Sequence, residues 1–120
     1  MDLGWLDVCM RVDDVQATRA FYEGLGFRRV EGDDSEGWAV VINGDSRLGL
    51  FEASFMDDDA FSLNFRGGSM SANVAELKSQ GYKFESDPVV KPDGSGSAKL
   101  RDPDGNLVFL DCAPGEIKKL

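Results

Sequence analysis

No histidine occurs in the 120 residues, so the side chain that most often serves as a general base near neutral pH is missing. Cysteine is scarce. Cys9 and Cys112 lie far apart and show no metal-motif spacing. In a reducing compartment they read as buried, small apolar residues. No apolar run approaches the length of a membrane span. The opening MDLGWLDVCM has no basic region ahead of its apolar residues, which argues against a secretory signal and makes cytoplasmic the expected location. Basic residues are also few: 13 Lys and Arg face 22 Asp and Glu, for a net charge of −9 and a pI near 4.4. Nucleic acid and anionic membrane both need basic surface, so neither is an expected partner. The balance is compatible with a cationic ligand, and most of the charge reads as solvated surface.

What remains is enough for one ordinary domain, because 42% of the residues are apolar. The chain is organised around residues 6–27, LDVCMRVDDVQATRAFYEGLGF. Val8, Met10 and Val12 alternate with polar or small neighbours, the period of a half-buried strand. Asp13-Asp14 offers a helix cap. Val15, Ala17/Thr18, Phe21/Tyr22 and Leu25 then recur at helical spacing, and Gly24 and Gly26 end the helix. Strands are expected at residues 27–31, Trp38 to Asn43 and Arg47 to Glu52, with Asn43-Gly44-Asp45 as a hairpin turn. Ser54 to Asp59 is an acidic connector. The order then runs again: a strand at Phe61 to Arg66, a helix at Met70 to Gln80, an extended stretch Tyr82 to Val90, and strands at Ala98 to Arg101 and Leu107 to Cys112. Asp102-Pro103-Asp104-Gly105-Asn106 suits the tight reversal between the last two. Pro114 to Leu120 is expected to be a loose tail.

This internal repeat implies a single α+β domain, residues 1–120, built of two βαβββ modules at 1–53 and 61–113. Two four-stranded sheets would curve around a shared cleft. The period of two assigns the faces. Val8, Met10 and Val12 belong beneath the first helix, and Phe61, Leu63 and Phe65 beneath the second. Trp5, Asp7, Cys9 and Arg11 then face the cleft, together with Arg47, Gly49 and Phe51; Ser62, Asn64 and Arg66; Ser97, Lys99 and Arg101; and Leu107, Phe109 and Asp111.

VDDVQATRAFYEGLGF and LRDPDGNLVFL resemble the signature stretches of the vicinal oxygen chelate superfamily, the glyoxalase, bleomycin-resistance and extradiol dioxygenase group. The resemblance spans nearly the whole chain. It implies curved mixed sheets of paired βαβββ modules and a homodimer. It also implies a divalent metal held by His, Gln or Glu at positions that fall here on Asp7, Gly49, Ser62 and Phe109. Glycine and phenylalanine offer no side-chain donor, serine is a poor ligand for Zn²⁺ or Fe²⁺, and one carboxylate does not hold a catalytic metal. The fold is therefore expected without the group's usual metal chemistry, and with no cofactor.

Other constellations are weaker. Asp7, Cys9 and Asp111 would form a metal site only if their strands are neighbours. Asp33-Asp34-Glu36 and Asp57-Asp58-Asp59 lack the alternation of a calcium loop and read as solvated charge. Cys9 reads as packing more than as a nucleophile. Asp7 reads as the partner of an arginine such as Arg66 or Arg47, ahead of a desolvated base. Gly67-Gly68-Ser69 reads as a strand-to-helix turn more than an anion site. The leading expectation is metal-independent small-molecule binding, as in the resemblance's metal-free bleomycin-resistance members, with an antibiotic or toxic metabolite sequestered unchanged. Trp5, Asp7, Trp38, Arg47, Phe51, Ser62, Asn64, Arg66, Lys99 and Phe109 are the candidate ligand-binding residues; the aromatics stack on a flat ligand. Arg47, Arg66, Lys99 and Arg101 favour an anionic ligand if they converge, and a nearly neutral cleft if they pair with Asp7 and Asp111. The alternatives are a metal-dependent glyoxalase-like lyase or dioxygenase with non-standard ligands, and an accessory protein working through its dimer surface.

Overall fold

Strand-forming residues and helix caps fall in the expected order. In the computed structural model, which describes residues 1–56 and 59–117, the first half of the chain holds β1 (Gly4–Arg11), α1 (Val15–Gly24), β2 (Arg28–Asp33), a 3-10 turn at Asp34–Glu36, β3 (Trp38–Asn43) and β4 (Ser46–Phe51). A one-turn helix, α2 (Ala53–Met56), follows. The second half holds β5 (Phe61–Gly67), α3 (Met70–Ser79), β6 (Val89–Val90), β7 (Gly96–Arg101) and β8 (Leu107–Cys112). The fold is mixed α+β.

Local chemistry sets these boundaries. Asp14 caps α1 by accepting from the Ala17 amide at 3.1 Å, and Ser69 caps α3 by accepting from Ala72 at 3.3 Å. At the far end of α1, Gly26 takes φ 99°, a value only glycine adopts without strain, and this lets the Phe27 amide reach the Tyr22 carbonyl at 3.1 Å. Asn43 pairs with Ser46, so Gly44-Asp45 forms a two-residue hairpin turn.

Two compact units emerge from the backbone contacts, Asp7–Ser62 and Met1–Leu6 with the chain from Leu63 onward. In the first, the strand order is β2-β3-β4-β1, with β1 parallel to β4 and the other pairs antiparallel. Val15 of α1 is buried, as are Ala39, Val41 and Leu50 on one side of the strands. In the second, the order is β5-β8-β7-β6. Met70, Val74 and Leu77 of α3 pack on Ala98, Leu100, Leu110 and Cys112, with Leu3, Phe65, Phe84 and Val108 at the margin. Each fully buried aliphatic side chain stabilises its unit by about 1.5–3 kcal/mol.

The structure corrects several expectations. Phe61, expected to be a packed residue, is the first residue of β5 and is 62% exposed. Phe21 and Leu25 are also exposed, and Val15 is the buried residue of α1; the apolar stripe wraps further round the helix than the packed surface does. The connector at 54–59 is partly helical and buries Met56, while Asp57 and Asp58 lie outside the described residues. Only Val89–Val90 of the extended stretch joins a sheet. The tail is not uniformly loose, since Glu116 pairs with Arg66; residues 118–120 lie outside the described residues.

Candidate functional site

Register and alternation place two polar faces, one in each unit, on the sides of the strands away from the helices. In the first unit the register Cys9↔Gly49, Arg11↔Phe51, Trp38↔Phe51 and Val40↔Gly49 puts Asp7, Cys9, Arg47, Gly49, Phe51 and Trp38 on one face. Arg47 Nε donates to Asp7 Oδ1, and its Nη2 stands 3.8 Å from Glu31 Oε1. The Asp7 side chain is only 2% exposed, so this is a desolvated ion pair whose rupture would leave a buried charge. Beside it, Trp38 and Phe51 stack with centroids 5.8 Å apart at 5°, and Phe55 meets Phe51 edge-on. Trp38 Nε1 donates to Glu36 at 3.1 Å. Ser62 is buried.

A metal does not fit the positions implied by the family resemblance. Asp7 is committed to Arg47. At Gly49 an added Cβ would stand 2.7 Å from the Phe51 ring and 2.8 Å from Cys9 Sγ, so the space a ligating side chain would need is filled. Of the other two positions, Ser62 offers only a hydroxyl and Phe109 no donor at all, neither of which suits a zinc- or iron-type ion. No group of three or more Cys, Asp or Glu able to hold a metal occurs among the described residues.

In the second unit, Phe65 faces the core under α3, so Asn64 and Arg66 face the other way. The Arg66 guanidinium lies over the Trp5 ring, 5.5 Å from its centroid, and its Nη2 donates to Glu116 Oε2 at 3.1 Å. Ser97 pairs with Asp111 and Lys99 with Phe109, which extends this face across β7 and β8. Burial pushes the Asp111 carboxyl above its usual range, repulsion by Glu116 adds to the shift, and Arg66 opposes it. The Cys112 thiol is also pushed up, first by burial and then by Glu116 and Asp111. Glu116 Oε1 and Asn64 Oδ1 are buried and meet no donor.

The sequence left open whether the four cations converge or pair. Arg47 serves Asp7, Arg66 serves Glu116, and Arg101 donates to Glu85 at 2.7 Å, while Lys99 is exposed. Glu116 escaped the sequence reading because nothing near it in the chain marks it; the reversing turn at Pro114-Gly115 was the only available signal. Several motifs prove structural. Asp34 clamps Arg19 through bonds of 2.9 and 2.6 Å, so the 33–36 cluster is held by the protein and is not merely solvated. Asp102 accepts from the Asp104 and Asn106 amides within its turn. At 67–69 the Met70 amide is taken by Gly94 and that of Ala72 by Ser69, as a plain turn requires.

A mixed α+β chain in which the order strand, helix, three strands runs twice defines a recognisable class. A model of the Glyoxalase/Bleomycin resistance protein/Dioxygenase superfamily matches residues 4–110, and the chain belongs to that superfamily. Among solved structures, it is similar to a protein described as an NAD-dependent benzaldehyde dehydrogenase from Legionella pneumophila, with TM-score 0.72 and 17% identity over 89% of this chain and 97% of the other. A superfamily member from Vibrio splendidus gives TM-score 0.61 and 11% identity over 89% and 96%. Methylmalonyl-CoA epimerase from Streptomyces coelicolor, in complex with 2-nitronate-propionyl-CoA, gives TM-score 0.63 and 21% identity over 94% and 96%. These likenesses show the fold alone. No curated protein matches the chain.

Proposed function

We propose that the protein binds a small molecule without a metal, holding an antibiotic or toxic metabolite unchanged. One observation carries this reading: the carboxylate at the position where the family resemblance expects a metal ligand, Asp7, is a buried partner of Arg47, and Gly49 leaves no room for a ligand beside it. The polar faces retain what binding needs. Trp38 and Phe51 present a stacked aromatic pair in one unit, and Trp5, Asn64, Arg66, Lys99 and Phe109 line the other. Ser62 adds a hydroxyl. That a superfamily fold can hold small ligands is supported by the Streptomyces coelicolor epimerase, whose structure contains an acyl-CoA analogue. In this reading two repeats, 1–53 and 61–113, make the working unit, and two chains assemble in the cytoplasm as a homodimer.

The test is elemental analysis of protein purified without chelator and challenged with excess Ni²⁺, Zn²⁺, Mn²⁺ and Fe²⁺, paired with a small-molecule screen by tryptophan fluorescence. The expected result is no stoichiometric metal and a saturable quench by some member of the screen. Tightly held metal that disappears in Asp7→Ala would overturn the reading in favour of lyase or dioxygenase chemistry.

A further inference from the structure

Arg66 is held as a recognition arginine would be. Its guanidinium carbon lies over the Trp5 ring, 5.5 Å from the centroid, and its Nη2 already grips a carboxylate, that of Glu116. That carboxylate belongs to no strand. It follows β8 through a reversing turn, closed by the Glu116 amide on the Ala113 carbonyl at 3.0 Å. Its seat is poor. Only Oε2 meets Arg66, Oε1 is buried without a donor, and Asp111 stands close enough to repel it. A group placed there for stability alone would satisfy both oxygens and avoid a like charge. A second cation, Lys99, lies on the same face, paired in register with Phe109, and forms no ion pair among the described residues.

We propose that Arg66 anchors the acidic group of a small organic anion, a flat carboxylate or phosphate ester, and that Glu116 is an internal stand-in which this ligand displaces. Trp5 and Phe109 supply apolar surface for the body of the ligand, and Lys99 supplies further positive charge. Glu116 then acts as a competitive plug, and removing its carboxylate raises affinity. This inference rests on the reading of the chain as a small-molecule-binding protein and adds the sign of the ligand.

Isothermal titration of the full chain with 2-naphthoate, and separately with 2-naphthylmethylammonium, tests it. Wild type, Glu116→Gln and Arg66→Gln are compared, with thermal melts to confirm folding. Should Arg66→Gln fail to fold, Arg66→Lys keeps the charge and loses the planar fork. Naphthoate is expected to bind Glu116→Gln more tightly than wild type by on the order of tenfold. Loss of the Arg66 fork is expected to remove that binding. Equal affinity in wild type and Glu116→Gln overturns the plug, and binding indifferent to Arg66 overturns the anchor. Preference for the ammonium probe overturns the anionic ligand while leaving small-molecule binding intact. Silence of naphthoate with all variants overturns the inference; only a screen in which no compound binds fails the broader reading as well.

Discussion

At the scale of single residues, the Asp7–Arg47 pair shows how one contact commits a buried carboxylate. A carboxylate on a buried strand must be paired, and here the partner is an arginine forty residues along the chain. Period-two alternation put Asp7 and Arg47 on one face but could not choose between Arg47 and Arg66 as partner. Asp7→Ala is expected to cost about 3 kcal/mol, because it removes the buried partner of Arg47 in a partly desolvated site. Urea unfolding monitored by tryptophan fluorescence measures this; a loss within the range of a surface pair would show that the pair is far more solvated than the structure indicates. Arg66 and Glu116, fifty residues apart, were out of reach of any local pattern.

At the scale of elements, β4 carries the clearest constraint. Its residues 47–51 read as a strand from alternation, and the hairpin turn before it from asparagine and glycine. The need for Gly49 was not legible, because it arises from Phe51 folding back along its own strand and from Cys9 on the neighbouring one. Gly49→Ala is expected to destabilise by about 1–3 kcal/mol, the cost of forcing a methyl into filled space. The shift in its urea midpoint measures it, and an unchanged midpoint would mean that the Phe51 ring moves aside freely. For α1, helical periodicity found the element and Asp14 its start, yet Phe21 and Leu25 remain outside. Period reports which side chains share a stripe, not how much of that stripe a sheet covers.

At the scale of the whole molecule, charge dominates. Against a net charge of −9, three carboxylates are held down by particular partners. Asp34 is lowered by hydrogen bonds from Arg19, Asp93 by Ser95, and Asp102 by Asn106. A depressed carboxyl contributes stability above its unfolded pKa and loses it as acid protonates the native state. Asp111 has the opposite sign: its raised pKa means a penalty at neutral pH that is relieved as the pH falls towards the ordinary carboxylate range. Thermal stability should therefore hold or rise slightly as pH drops from 7, then fall below about pH 4. Melting curves between pH 3 and 8 check this. A steady decline beginning at pH 7 would contradict the raised Asp111, and a flat profile below pH 4 the three lowered groups.

Sequence by itself determined the class of fold, the order of the main strands and helices, and which residues alternate within a strand. Those properties are local: caps, turns and alternation act over a few residues, and the same order written twice reinforces the reading. Trp38–Asn43 and Leu107–Cys112 agree to the residue for this reason. Tertiary structure alone decided which charges meet, how Phe51 fills the space over Gly49, and that a glutamate near the end of the chain takes the arginine on the polar face of β5. These contacts depend on distance in space between residues far apart in sequence, and no local energy term records that distance until the chain has folded.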